Sequence, residues 1–232
     1  MSSPEPIDAD SSGGRKLTYL KGTELFRDFT PAQLEPFHHT IRMETCRAGH
    51  VFYRPGETGE VMFLLKEGRA QLYRLAPDGR KFVFADVPPS SIFGEMACIG
   101  QAMYECFAEA TADSVICTLT RDDVQRLIVA YPQFAMRLIE TMGRRMVEAE
   151  RQLEELAFKT VIPRLAAFLH REARAGIVDG WSHQEIAERL GIYRETVTYA
   201  LNELKAAGII EIGRRRIGVL DDARLVEVID GH

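Results

Sequence analysis

SHQEIAERLGIYRETVTYALNELKAAGII, residues 182–210, is the stretch from which the rest of this 232-residue chain can be read. Ser182 is a good N-cap, and Glu185 three residues later completes a capping box, in which two side chains satisfy otherwise free backbone N–H groups. Ile186, Ala187 and Leu190 then share one helical face. Gly191 allows a tight turn, and Ile192 fills the space between two helices. Val197, Ala200, Leu201 and Leu204 form the apolar face of the second helix. Gly208 stops it, and Ile209 and Ile210 begin a strand. This spacing predicts a helix-turn-helix. It leaves Tyr193, Arg194, Glu195 and Thr198 on the outer side of the second helix's first turn. In a DNA-reading helix these positions reach base edges. An Arg can hold guanine O6 and N7 bidentately, and a Glu can accept from cytosine N4. A helical hairpin with a solvated charged face fits the same spacing, so the flanking sequence has to discriminate.

Downstream, IIEIGRRRIGVLD at 209–221 reads as strand, turn, strand: a β-hairpin wing with Arg214, Arg215 and Arg216 at its tip, suited to phosphate contact. Asp222, Leu225 and Val228 mark a short closing helix. Upstream, Phe158–Gly176 is predicted as a helix that packs Ile162, Leu165, Phe168 and Leu169. From residue 158 to the end, eleven Lys and Arg face eleven Asp and Glu. Nucleic-acid binding therefore rests on where the charge sits, not on its sum.

A longer helix is expected over Gln133–Leu156. Ile139, Met142, Met146, Ala149, Leu153 and Leu156 follow a 3, 4, 3, 4, 3 spacing, flanked by Arg144, Arg145, Glu148, Arg151 and Glu155. That is an a/d heptad seam, which predicts a parallel coiled-coil dimer. A helix packed only on its own domain usually shows a wider apolar stripe.

Between Thr45 and Leu119 the pattern changes to short apolar runs: VFY at 51–53, VMFLL at 61–65, AQLYRL at 70–75, KFVFADV at 81–87 and VICTL at 115–119. Gly and Pro-Gly punctuate them, and PDGR at 77–80 is the clearest hairpin turn. Strands at this spacing predict a sandwich or barrel. Thr30-Pro31 opens a short helix with Leu34 and Phe37, and Thr120 with Asp123 opens another that ends at Tyr131-Pro132. Residues 1–16, rich in Ser, Pro, Gly and Asp, are expected to be a disordered tail.

The bulk numbers agree: 46% hydrophobic and 27% charged residues suit a globular protein. No apolar run reaches membrane-span length, and the start lacks the features of a signal peptide. Four Cys without CxxC spacing fit a reducing compartment, so a cytoplasmic protein is expected. A net charge of −5 argues against non-specific coating of nucleic acid. No G-x-S-x-G, Walker loop or metal-ligand helical spacing is found, so an enzyme is not expected.

Taken in order, these parts resemble the Crp/Fnr family of bacterial transcription regulators over roughly residues 20–230. FGEM at 93–96 resembles the phosphate-binding-cassette motif of cyclic-nucleotide domains. LAF at 156–158 resembles the family's hinge, and QEIA at 184–187 and RETV at 194–197 its helix-turn-helix signature. The resemblance implies an α+β fold: a disordered tail over 1–16, a β-roll sensor of jelly-roll type over 17–131, a dimerisation helix over 132–157 and a winged helix-turn-helix over 158–232. It implies a homodimer on a palindromic double-stranded operator, with RNA polymerase as partner and frequently activation as the outcome. The Arg174–Gly180 loop occupies the place of one activating surface. Arg194 and Glu195 fall on the base-reading pair. Thr198 and Tyr199 share that face, and Tyr199 replaces a basic reader. Gln184, Tyr193 and Thr196 fall with the wing arginines on phosphate-contacting positions. The alternative is a small-molecule-binding module whose degenerate helix-turn-helix mediates protein contacts.

The effector pocket that the resemblance implies is degenerate. Gly94 and Glu95 are present, but the later Arg-Ser of cyclic-nucleotide binders is replaced within Tyr104-Glu105-Cys106, and no Arg or Lys lies between Lys81 and Arg121. Ala149 and Glu150 stand where cyclic-AMP members meet the base. A phosphate facing Glu105 without a cation would be repelled. No cofactor and no cyclic-AMP dependence are expected; the regulator is either effector-independent or responds to a non-nucleotide or redox signal. Gly94-Glu95 is then a retained turn. The absence of Cys before residue 46 argues against an iron–sulfur cluster. His38, His39, His50 and Cys46 are conceivable haem ligands, and Cys98 and Cys106, near the sensor loop, are the candidates for thiol sensing. Cys117 reads as core.

Overall fold

The computed structural model describes residues 5–6, 19–35, 41–99 and 104–230. The chain forms two compact units. The first comprises the described residues up to Arg74 together with Phe84–Gly143; the second comprises Leu75–Val83 and Arg144 onward.

The first unit carries two antiparallel sheets. One orders β1 (Glu5–Pro6), β2 (Arg42–Cys46), β9 (Ser114–Thr120), β4 (Val61–Glu67) and β7 (Ile92–Phe93) as β1-β2-β9-β4-β7. The other orders β3 (Val51–Tyr53), β8 (Phe107–Ala110), β5 (Ala70–Leu75) and β6 (Lys81–Val87) as β3-β8-β5-β6, with Leu75 of β5 and Lys81–Val83 of β6 counted in the second unit. The run VMFLL is explained by burial on both faces. Met62 and Leu64 enter a core with Ile92, Cys117, Leu119 and helical residues, whereas Phe63 and Leu65 enter the interior with Phe93 and Ile116. A strand buried on both faces has no polar side to alternate with.

The helical side of that first core is built from α1 (Pro31–Leu34), α3 (Arg121–Ala130) and the start of α4 (Pro132–Phe158). Thr30 and Thr120 cap α1 and α3 with complete capping boxes. Phe37, His38 and His39 lie outside the described residues. Two of the residues expected to be disordered are instead an edge strand: Glu5 and Pro6 pair with Thr45 and Glu44. Edge pairing needs backbone groups rather than apolar side chains, and an edge is where Pro is tolerated; the rest of 1–16 lies outside the described residues.

In α4 the buried residues are Phe134 and Leu138, with Met142 packed beside them. The other seam residues point away from any core: Ile139 is 60% exposed, Met146 61%, Leu153 67% and Leu156 49%, and Ala149 is also exposed.

The second unit packs α5 (Val161–Glu172), α6 (His183–Leu190), α7 (Arg194–Ala206) and α8 (Asp222–Asp230) with a sheet ordered β10 (Ile177–Asp179), β12 (Arg216–Val219), β11 (Ile210–Gly213). Its core holds Leu165, Phe168, Leu169, Ile186, Val197, Leu201, Leu204, Ile217 and Leu225, with Ile192 packed against it. Helix α5 is shorter than the expected Phe158–Gly176. It is trimmed at both ends: Phe158 still belongs to α4, and beyond Glu172 the chain is already extended at Ala173, with Ile177–Asp179 forming a strand beside β12. The Arg174–Gly180 segment is therefore part of the wing sheet, not a loop alone.

Candidate nucleic-acid interface

The turn between α6 and α7 is set by local chemistry. The Glu185 carboxylate accepts from the Ser182 backbone N–H at 2.7 Å and its hydroxyl at 2.6 Å, while the Glu185 N–H donates to Ser182 Oγ. Gly191 closes α6 with φ +65°, a left-handed geometry that suits Gly at a helix end. Arg164 of α5 donates to the Leu190 carbonyl, and Arg224 donates to the Ala207 carbonyl at the end of α7, 2.9 Å away. Both put a cation on carbonyls left free at a helix C-terminus. Sequence reading missed both, because each lies far along the chain from the helix it caps.

Tyr193 is the N-cap of α7 and makes no side-chain cap bond. Arg194 and Glu195 follow it, both exposed. Behind them Thr198 donates its hydroxyl to the Arg194 carbonyl at 3.1 Å and lies 2.9 Å from His183 Nδ1. The Thr hydroxyl has one proton, so His183 is the donor in that contact. Tyr199 donates to Glu203 at 2.6 Å, and that carboxylate holds the phenol proton on, raising its pKa. Gln184 donates to Glu188 at 3.0 Å, one turn along α6. Thr196 is half-buried.

The three wing arginines are not equivalent. Arg215 sits at φ +52° at the turn between β11 and β12. Its guanidinium donates to the Gly180 carbonyl and to Glu185, 2.9 Å from Oε2. It thereby ties the wing to the N-terminus of α6. Arg214 and Arg216 are exposed and form no ion pair among the described residues. Glu185 thus caps α6 and anchors the wing at once, and its pKa is lowered by these bonds against the opposing effect of burial.

The residues of the expected effector pocket fall in the first unit, except Glu150, which lies on the part of α4 belonging to the second. Gly94 has φ +76°, and a Cβ there would meet the Val61 carbonyl oxygen at 3.1 Å and Tyr104 at 3.2 Å. The roll interior beside it is aromatic. Tyr53 and Tyr104 stack at 3.8 Å, Phe63 and Phe93 at 4.9 Å, and the Tyr104 hydroxyl donates to the Val61 carbonyl at 2.6 Å. Glu95 is 3% exposed, whereas Glu105 is exposed. The positive field felt by the Cys106 thiol comes from Arg74 on β5, an exposed residue brought near by the β5–β8 pairing. That cation is supplied from outside the 81–121 stretch, where the sequence has none. Burial pushes the Cys46 and Cys98 thiols up to about 11 and raises Cys106 as well. Among the described residues no three His, Cys, Asp or Glu side chains are placed to hold a metal ion, and no helix is long and apolar enough to cross a membrane.

Two family models match: the cyclic nucleotide-binding domain over residues 43–131 and the Crp-like helix-turn-helix domain over residues 163–228. The chain is 28% identical to the cyclic AMP receptor protein of Thermus thermophilus, covering 91% of this chain and 99% of that protein. It is 33% identical to the transcriptional regulator LdrP of the same species, covering 75% and 89% respectively. A solved structure of a CRP/FNR-family transcriptional regulator, also from Thermus thermophilus, is 28% identical, with a TM-score of 0.65 over 81% of this chain and 98% of that one. With both family models in the same order, and a regulator related across nine-tenths of its own length, the chain belongs to the Crp/Fnr family of transcription regulators.

Proposed function

We propose that the protein is a homodimeric, sequence-specific DNA-binding regulator, acting as an activator in the cytoplasm by contact with RNA polymerase and binding a palindromic operator. The observation that carries this reading is the exposed first turn of α7, which presents Arg194 and Glu195, in the same unit as an arginine-tipped wing that Arg215 ties to the N-terminus of α6. Arg194 and Glu195 read base edges, with Thr198 and Tyr199 behind them. Gln184, Tyr193, Thr196, Arg214 and Arg216 contact phosphates, and Arg215 orients the wing through Glu185. The exposed seam of Ile139, Met146, Ala149, Leu153 and Leu156 supports pairing with a second copy. A two-fold dimer sets two recognition helices ~34 Å apart on the DNA, one turn of the duplex.

Cyclic AMP is not the effector in this reading. Glu105 and Cys106 replace the phosphate-binding Arg-Ser pair, and Arg74 is exposed, so its charge is screened by solvent rather than buried against a phosphate. Calorimetry with cyclic AMP is expected to give no micromolar binding. The test of the main reading is selection of duplexes from a random library by the full chain. A palindrome should be enriched, with affinity falling steeply as salt rises. Recovery of no preferred sequence would favour a small-molecule-binding module whose helix-turn-helix contacts proteins.

A further inference from the structure

The turn Leu75–Val83 belongs to the second unit although Arg80 and Gly191 are 111 residues apart. It closes on the α6–α7 turn through several independent contacts. Arg80 donates to the Gly191 carbonyl at 3.2 Å, and its guanidinium lies 4.9 Å over the Tyr193 ring. The Tyr193 hydroxyl donates to Asp78 Oδ2 at 3.0 Å, and the same oxygen accepts from Arg80 Nε at 2.7 Å. Lys81 pairs with Glu188 at 3.9 Å, and Arg189 donates to the Val83 carbonyl at 3.4 Å. Phe82 packs so closely on Gly191 that a Cβ there would lie 3.2 Å from its ring.

We infer that this turn is an autoinhibitory clamp, in which the Asp78 carboxylate holds the Tyr193 hydroxyl that a DNA phosphate would otherwise engage. The inference rests on the reading that α7 enters DNA. A tyrosine hydroxyl has a single proton, so while it donates to Asp78 it cannot donate to a phosphate. The Arg80 and Tyr193 hydrogen bonds keep Asp78 below the usual carboxylate range, hence charged at neutral pH. An anion in that place repels the backbone of DNA approaching the N-cap of the recognition helix. Arg80, a cation that could itself attract phosphate, is turned instead onto Gly191, Asp78 and the Tyr193 ring.

Arg80→Ala is the decisive variant, because loss of a cation near DNA ordinarily weakens binding, whereas loss of a clamp strengthens it. With the full chain and a duplex selected by the wild type, fluorescence anisotropy is expected to show Arg80→Ala and Asp78→Ala binding about tenfold more tightly, within the ~5–150-fold span of typical couplings between sites. Unchanged or weaker binding by Arg80→Ala would overturn the clamp. A wild type that selects no sequence defeats the DNA reading itself, so the two failures are distinct. Hydrogen exchange in the wild type gives a second readout that needs no variant. The Gly79 amide, which donates to the Ala76 carbonyl at 2.9 Å, should exchange faster once duplex is bound; slower exchange, meaning that the turn tightens on DNA, would also overturn the inference.

Discussion

Leu153→Ala tests the dimer without disturbing the fold of a single chain. Leu153 is 67% exposed, so its truncation removes little that holds one protomer together. If the seam closes on a second copy, that exposed fraction is what becomes buried. Full burial of a leucine is worth ~1.5–3 kcal/mol, so two-thirds of it gives ~1–2 kcal/mol per protomer and, by two-fold symmetry, ~2–4 kcal/mol per dimer. At ~1.4 kcal/mol per tenfold, the dissociation constant should rise by about 30- to several-hundred-fold, with the lower end favoured because alanine keeps its Cβ. Sedimentation equilibrium over a dilution series measures this directly, and far-ultraviolet circular dichroism at one concentration checks that the helices persist. A second consequence follows on DNA: half-sites engaged independently lose the gain in effective concentration, so affinity for a full palindrome should fall toward that for a single half-site. A dimer constant within twofold of wild type would show that the seam is not the interface.

Three further outcomes are expected. Arg194→Ala should lose discrimination at one G·C pair, a cost of ~1–3 kcal/mol; competition among operators substituted one position at a time checks it, and an unchanged preference at every position would defeat the assignment. Arg215→Ala should reduce the salt slope of operator binding less than Arg214→Ala or Arg216→Ala, since the Arg215 guanidinium is engaged with Gly180 and Glu185; a slope reduced by about one for each of the three would mean all three meet phosphate. The Cys46 and Cys98 thiols, pushed up to about 11 by burial, should be roughly one part in a thousand thiolate at pH 8. Because burial disfavours the charged form, alkylation should be slow at pH 8 and rise about tenfold per pH unit until pH approaches 11; labelling at the rate of an unfolded chain at pH 8 would refute it.

Much of the fold is legible where the signal is local. VFY, AQLYRL and KFVFADV became strands with the expected bounds, and three capping boxes opened helices at Thr30, Thr120 and Ser182. Strands β2 and β8 were not foreseen: RMETC and FAEA carry little β-branched or aromatic content, and only pairing with β9 and β5 makes them strands. Helix α2 (Glu95–Ile99) lay hidden behind the turn reading of Gly94-Glu95. At the candidate interface the apolar faces of α6 and α7 were readable because helical spacing is a property of neighbours in sequence. The split among Arg214, Arg215 and Arg216 was not, since it depends on a carbonyl and a carboxylate 35 and 30 residues upstream. Nor was the bond between Tyr193 and Asp78, whose partners are 115 residues apart.

The chemistry of the clamp also limits what it can do. Asp78 and Arg80 are solvent-exposed enough for salt to screen them, and exposed ion pairs hold weakly. Such a contact attenuates binding rather than forbidding it. It also makes a prediction whose sign is specific. Rising salt weakens every phosphate contact in wild type and variant alike, but only the wild type has a clamp to loosen. The advantage of Arg80→Ala over wild type should therefore be largest at low ionic strength and shrink as salt rises, so that the wild type shows the shallower dependence of log affinity on log salt. If Arg80 instead met DNA, its removal would eliminate a counterion-releasing contact and leave the variant with the shallower slope. Two salt titrations on one operator separate these cases, since they predict opposite orderings of the slopes; steeper dependence in the wild type would show that Arg80 faces the phosphate backbone.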